Sequence, residues 1–476
     1  MYSVAQVRRI DASAIAQQGD DGYALMEQAG YFAWRTLQRA FPRARRLCVL
    51  AGPGNNGGDA LIVARLALQQ GLDVQVYALS PAAQWRGAAG RAWQEYSKAG
   101  GVLCTDAPRS AEVIVDGLFG TGLTRSLSGQ AADWVQWALD QKAGGSGVLA
   151  LDIPSGLDAD TGQALGPVLF ADHTVSFVAP KLGHDLGDAI DACGRLHFSS
   201  LGVSWPEASL EAPQAWRVQT CQRPARLPAT HKGHCGHVLL LAGRGQFAGA
   251  GRFAAGGALR AGAGKVSQLV QDPAAHPQDW PEVMHPSWSE LPQLLPSVDV
   301  LCVGPGLGRG EQDQPGLPPM AAKALPQVWD ADALWWLAQQ PQRLEGVSAV
   351  LTPHPGEAAT LLGLSTAEVQ ADRLGTLQAL VQRYQCVVVL KGARTLVGAP
   401  GTTPRCVPQG NPAMATGGMG DVLAGLISGL WAQGLSAFDA ATFGAYLLGR
   451  AADRAADNIG AALLPHDLLE QGELWT

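Results

Sequence analysis

Two short strings concentrate the residues most able to do chemistry. The first is Gly52-Pro53-Gly54-Asn55-Asn56-Gly57-Gly58-Asp59, which follows the apolar run 47–51. Gly52, Gly54 and Gly57 satisfy G-x-G-x-x-G between an expected strand and an expected helix. Glycines there let the main chain approach a pyrophosphate, and the amino end of a helix favours an anion. The second string is Asn411-Pro412-Ala413-Met414-Ala415-Thr416-Gly417-Gly418-Met419-Gly420-Asp421, ahead of the apolar stretch 422–430. Gly417, Gly418 and Gly420 could form an anion hole from main-chain N–H groups. A carboxylate placed there, Asp421, suits removal of a proton from a hydroxyl that attacks a phosphoryl group. A plain helix cap is the alternative role for it. No G-x-x-x-x-G-K-[ST] string is present, so the second loop is not a P-loop.

The first loop has company. Asp116-Gly117-Leu118-Phe119-Gly120-Thr121-Gly122-Leu123 follows the run 113–115, and Asp152-Ile153-Pro154-Ser155-Gly156-Leu157-Asp158 follows 148–151. Asn56, Asp116 and Ser155 offer only oxygen, which suits a hard cation rather than zinc; helix capping by the two Asp residues is the other reading. A redox dinucleotide domain would want an acid after the second strand to hold the ribose. That strand ends Ala78-Leu79-Ser80, with Asp73 before it. Around the second loop stand Lys391-Gly392-Ala393-Arg394-Thr395 after a strand, Gly304-Pro305-Gly306-Leu307-Gly308 after another, and His354 in a loop between Pro353 and Pro355. A ligand contact is expected of His354.

These loops need elements to hold them. Residues 1–40 read as helical, with Met26, Ala29, Ala33 and Leu37 at helical spacing. Strands are expected at 47–51, 74–79, 113–116, 148–152, 238–242, 300–303, 347–351 and 387–390, and helices at 60–70 and 422–430. Alternation of strands and helices implies parallel sheets covered on both faces. A proline-marked, polar stretch, 206–230, reads as a linker between two domains, 1–215 and 225–476. His231, His234, Cys235 and His237 lie close together, but their spacing matches no common zinc pattern and the segment leads into a strand.

Bulk composition agrees with globular domains: 476 residues, 47% hydrophobic and 16% charged. The net charge of −7 and the lack of basic blocks argue against nucleic acid as a partner. No apolar run approaches the ~20 residues of a membrane span, and no secretory leader is recognised at the start. Eight scattered Cys, none in a C-x-x-C pair, fit a reducing, cytoplasmic setting.

On residues 25–30, 52–59, 115–123 and 152–157, the first half resembles the NAD(P)H-hydrate epimerase family. The resemblance implies a Rossmann-like three-layer αβα domain and inversion at C6 of the hydrated nicotinamide ring. It implies K⁺ held by Asn56, Asp116 and Ser155. Substrate would lie against Asn55, Asn56, Gly57, Gly58, Asp59, Gly120, Thr121, Gly122, Leu123, Thr124, Arg125, Ser126 and Asp152, with Asp152 as the acid–base group.

From about 225 onward, His231-Lys232-Gly233, Gly249-Ala250, 261–264, 303–308, 330–334, Thr352 to Glu357, 387–395 and 411–421 resemble the ADP/ATP-dependent NAD(P)H-hydrate dehydratase family. That implies a ribokinase-like α/β domain. Ala250, Gly306, His354 and catalytic Asp421 would meet the hydrated cofactor, and Lys391, Gly392, Ala393, Arg394, Thr395 and Gly420 the nucleotide. ADP is favoured over ATP, with Mg²⁺ as its cation. Met419 departs from the small or hydroxyl residue usual there, so a side-chain contact to phosphate is lost while a main-chain anion hole survives. The expected partners are hydrated NAD(P)H and ADP, in a homo-oligomer. Two rival functions remain: a kinase of small alcohols with an accessory domain, and a nucleotide-sensing scaffold.

Overall fold

A computed structural model describes residues 1–18, 21–203, 212–223, 225–270, 280–310 and 324–475. The chain divides into two compact units, Met1–Ala215 and Trp216–Thr476.

The first unit contains β1 (Arg46–Ala51), β2 (Asp73–Ala78), β3 (Val113–Gly117), β4 (Gly147–Leu151), β5 (His173–Phe177) and β6 (Arg195–Ser199). All pair in parallel, in the order β2-β1-β3-β4-β5-β6. Its helices are α1 (Val4–Gln18), α2 (Tyr23–Ala40), α3 (Asn55–Gln69), α4 (Gly87–Lys98), α5 (Gln130–Ala143) and α6 (Ala189–Ala192). The continuous apolar runs follow from burial on both faces. Leu47, Val49, Val113, Val115 and Leu149 pack toward α2, α3 and α4. Cys48, Leu50, Ile114, Val148 and Ala150 pack toward α5. Strand order reverses between β1 and β3, where open α/β sheets leave a crevice at the carboxyl ends.

The second unit has β7 (Trp216–Arg217), β8 (His237–Leu241), β9 (Lys265–Gln268), β10 (Val283–Met284), β11 (Val300–Val303), β12 (Gln327–Trp329), β13 (Ala349–Leu351), β14 (Val387–Leu390), β15 (Thr395–Gly398) and β16 (Arg405–Val407). The sheet order is β10-β9-β8-β11-β12-β13-β14-β15-β16-β7. It is parallel from β10 to β14, and β15 runs antiparallel to β14 and β16. Here the order reverses between β8 and β11. The helices are α7 (Ala248–Ala261), α8 (Leu291–Leu294), α9 (Asp332–Gln339), α10 (Pro355–Leu362), α11 (Thr366–Ala371), α12 (Arg373–Tyr384), α13 (Met419–Ala432), α14 (Ala437–Ile459) and α15 (Pro465–Glu470).

Helices α7 and α13 touch main chain to main chain. A Cβ on Gly425 would stand 1.9 Å from the Ala254 carbonyl oxygen, and one on Gly257 2.3 Å from that of Val422. Only glycine allows this approach, and it brings the amino ends of both helices to the site.

Both units have the expected α/β architecture. Three local details differ from the sequence reading. The helix expected at 60–70 starts at Asn55, so Asn55 to Gly58 form its first turn. Thr395 opens an antiparallel strand rather than closing a turn. Trp216–Arg217, inside the expected linker, forms an edge strand on β16; the parts of that linker at 206–211 and 224 lie outside the described residues. Among the described residues no helix is long and apolar enough to cross a membrane.

Candidate active sites

In the first unit a cavity of about 650 Å³ opens over the carboxyl ends of β1, β3 and β4. Asn55, Asn56, Asp59, Gly120, Thr121, Gly122 and Asp152 line it, with Asp11, Arg8 and Lys181. Asp152 has φ +66°, a left-handed conformation that a non-glycine residue holds only where its surroundings fix it. Its Oδ2 accepts the Thr121 N–H at 3.1 Å, and its carbonyl meets His184 Nε2 at 2.7 Å. Its Oδ1 pairs with Lys181 Nζ at 2.7 Å. Lys181 is buried and also donates to Ser176 Oγ and the Phe177 carbonyl, each at 3.1 Å. Burial, with Asp152 and Asp11 nearby, pushes the Asp59 carboxyl well above the usual range, against the opposing pull of Lys181. Asp11 is raised likewise, by burial first.

Beneath this floor lies a polar knot. Asp116 is fully buried. It accepts from Ser155 Oγ at 2.7 Å, Ser155 N at 2.8 Å and Leu118 N at 3.2 Å. Burial pushes its carboxyl up to about 6 despite these bonds. Asn56 is buried beside it, and neither Oδ1 nor Nδ2 has a partner within the protein. A buried amide left so is costly. An unpartnered carbonyl oxygen beside a carboxylate and a hydroxyl is a donor set that fits a hard monovalent cation.

Other residues expected at the substrate do not line this cavity. Gly57 and Gly58 face protein: a Cβ on Gly57 would stand 2.0 Å from the Gly52 carbonyl oxygen, and one on Gly58 2.7 Å from Met26 Sδ. Leu123 turns into the core under α5, and Thr124, Arg125 and Ser126 are exposed and do not line the cavity.

In the second unit, Asp421 sits in the first turn of α13, whose amino cap is Gly418 at φ +98°. Burial, then Asp330, Asp332 and Glu357, push its carboxyl up to about 7, while Lys391 holds it down. Lys391 Nζ donates to Asp330 Oδ1 at 2.7 Å and lies 3.6 Å from Glu357 Oε2. Burial alone would lower the Lys391 ammonium, but Asp330 and Glu357 outweigh it and raise it. A Cβ on Gly420 would come within 3.1 Å of Lys391 Nζ, so strand end and helix start meet. Gly306 takes φ +58°, and a Cβ there would stand 3.0 Å from that of Ala250. Asp332 Oδ2 holds this turn through Gly308 N at 2.9 Å.

His354 caps α10: its Nδ1 accepts from Gly356 N at 3.0 Å and Glu357 N at 3.3 Å. It also lines a cavity of about 170 Å³ with Arg309, Trp335 and Thr360. In the following turn Gly392 and Ala393 are exposed. Arg394 donates to the Pro408 carbonyl at 2.5 Å, and Thr395 Oγ1 to that of Gly392 at 3.1 Å. Near 231 the His231 and His234 rings stack with centroids 3.6 Å apart, but among the described residues no group of three or more His, Cys, Asp or Glu forms that could hold a metal. The His237 ring is spent on Ser297 O and Ser267 Oγ, and His231 caps its own turn.

Lys181 and Asp11 had no part in the sequence reading, and Asp330 and Glu357 entered it only within the matched segments 330–334 and 352–357, with no role of their own. Asp330 ends an apolar strand as Asp116 and Asp152 do, and that signal could have found it. Lys181 carries none, because its partner is set by the adjacency of β4 and β5.

Comparison with known proteins agrees with this layout. Residues 22–183 match the family model described as YjeF-related protein N-terminus, and 238–473 the model described as NAD(P)H-hydrate dehydratase. The bifunctional NAD(P)H-hydrate repair enzyme Nnr of Escherichia coli K12 is 40% identical over 97% of this chain and 91% of its own length. That of Vibrio cholerae is 38% identical over 98% and 96%, and the Leishmania major enzyme 35% over 97% and 90%. The crystal structure of the ADP/ATP-dependent NAD(P)H-hydrate dehydratase of Bacillus subtilis, co-crystallised with ATP/Mg²⁺, is 28% identical. It covers 53% of this chain and 93% of its own, with a TM-score of 0.47.

Proposed function

The chain belongs to the bifunctional NAD(P)H-hydrate repair enzymes, and we propose that its first unit epimerises hydrated NAD(P)H while its second dehydrates one epimer at the expense of ADP. Alignment over both units disfavours a kinase of small alcohols, which has no use for the first.

In the first unit, Asp152 exchanges a proton with the C6 hydroxyl or the ring as the C6 centre opens and recloses. Lys181 pairs with the carboxyl at 2.7 Å and aims it, and the left-handed backbone fixes where it points. Asn56, Asp116 and Ser155 hold K⁺, supported by the unpartnered Asn56 amide. When bound, that ion supplies positive charge under the loop 117–122.

In the second unit, Asp421 takes the C6 hydroxyl proton as that oxygen attacks the terminal phosphoryl of ADP. The new P–O bond forms as the bond to AMP breaks. The ring nitrogen's lone pair then expels phosphate from C6, and loss of the C5 proton restores the dihydronicotinamide. Lys391 and the main chain of 392–395 and 420 receive the nucleotide; Mg²⁺ would arrive on its phosphates, where it spreads their charge. Ala250, Gly306 and His354 bound the cofactor.

The observation carrying this reading is Asp421 itself: a carboxyl poised near neutrality at a helix start, with the half-buried Lys391 acting on it. A general base contributes roughly 10²–10⁴-fold. Asp421→Ala should lose ADP-dependent NADH regeneration by at least 100-fold and keep epimerisation. Regeneration near the wild-type rate would overturn the assignment.

A further inference from the structure

Three arginines of the second unit converge on a cavity of about 500 Å³ that the repair chemistry does not use: Arg223, Arg226 and Arg260, with Gly262, Gln433 and Gly472. Among the described residues no carboxylate lines it, and each guanidinium bonds only neutral atoms. Arg223 Nη2 donates to Trp475 O at 2.8 Å and Arg260 O at 3.2 Å. Arg226 Nη2 donates to Gly262 O at 2.5 Å and Gln433 Oε1 at 3.1 Å. Arg260 donates from Nε to Leu469 O at 2.5 Å and from Nη2 to Glu470 O at 3.3 Å. Among the described residues none of the three forms an ion pair.

These bonds engage one nitrogen of Arg223, one of Arg226 and two of Arg260, and among the described residues the other N–H groups remain unspent. The carboxyl ends of α7 and α13, capped by Gly262 and Gln433, carry about −0.5 charge each. Three guanidinium charges leave an excess of about +2. Like charges held together without a counter-ion destabilise the fold, and in a chain of net charge −7 this excess is local.

We propose that this cavity binds a phosphoryl dianion, either free phosphate or the phosphate end of a small phosphorylated metabolite. Guanidinium forks match such oxygens. The cavity lies at the carboxyl end of α7, about 21 Å at 1.5 Å per residue from the end that carries Ala250, so occupation leaves the reacting centre open. It neutralises the excess positive charge that the three guanidiniums place at the far ends of the two helices that wall it.

Calorimetric titration of the full chain tests this. Phosphate, pyrophosphate and AMP are the probes, with chloride at matched ionic strength as the blank. A Lys391→Ala background removes competition at the proposed nucleotide site, so the two sites are scored separately. Saturable binding of at least one probe should persist in Lys391→Ala and weaken at least tenfold in Arg223→Gln/Arg226→Gln, with epimerisation unchanged. Phosphate or pyrophosphate binding without AMP identifies the free ion, and tighter AMP binding identifies a metabolite's phosphate. Binding that is absent from Lys391→Ala, or undiminished in the double variant, overturns the proposal.

Discussion

Replacing K⁺ by choline at constant ionic strength tests the Asn56–Asp116–Ser155 site without reading activity. Burial raises the Asp116 carboxyl from 3.8 to about 6. Each unit is worth 1.36 kcal/mol, so ionising this group in the folded chain costs about 3 kcal/mol. The sign follows from linkage: the carboxyl's contribution is fully present below pH 3.8 and is lost as pH rises through about 6. A cation beside the ionised group offsets that loss. At pH 8 the carboxylate is free to take K⁺. At pH 5, a unit below the folded value, the proton competes and the apparent K⁺ affinity falls about tenfold, or about 1.4 kcal/mol. With 2–4 °C per kcal/mol for a domain of this size, saturating K⁺ should raise the first unit's melting temperature by about 3–6 °C more at pH 8 than at pH 5. Scanning calorimetry at both pH values reads this directly. In Asp116→Asn no proton competes, and the pH dependence of the K⁺ effect should vanish. An equal K⁺ shift at pH 5 and pH 8, or a dependence that survives in Asp116→Asn, refutes the reasoning.

Dehydration should follow the ionisation of Asp421: kcat/KM falls about tenfold per pH unit below about 7 and levels above it. Because Lys391 holds that carboxyl down, Lys391→Ala should move the inflection upward in the pH–rate profile as well as slow turnover. Lys181→Met, which keeps length but removes the partner of Asp152 at 2.7 Å, should cut epimerisation at least 100-fold and spare dehydration, both followed chromatographically on separated epimers. Gly425→Ala places a Cβ 1.9 Å from the Ala254 carbonyl and should cost about 1–3 kcal/mol or more in urea unfolding. Gly249→Ala, with nothing within 4 Å, should be neutral or slightly stabilising.

The central strands were legible because strands buried on both faces read as continuous apolar runs, and Asp116 and Asp152 announced themselves as acids ending such runs. The loop at Asn55 to Gly58 was harder: its glycines suggested a turn, yet the close approach to Gly52 and Met26 makes it the first turn of α3. The hairpin β15–β16 was hidden, since its short runs name no partner in the sequence. The same limit applies to the ion pairs. Lys181 meets Asp152 only because β5 lies beside β4, and Lys391 meets Asp330 and Glu357 only because β12, β13 and β14 are neighbours. Strand order is a property of the whole sheet, and no local window contains it.

The glycine seam between α7 and α13 bears on how the second unit comes to exist. Glycine inside a helix costs about 1 kcal/mol relative to alanine, and α7 carries Gly249, Gly251, Gly256 and Gly257. Its helicity therefore depends on α13, which leaves the ribosome only after most of the unit has been made. Until then the strand β8 and its following helix lack their covering layer, an interval of exposed apolar surface during which aggregation competes with folding. The feature that lets two helix ends meet at the site thus makes completion of this unit a late, all-at-once event in synthesis.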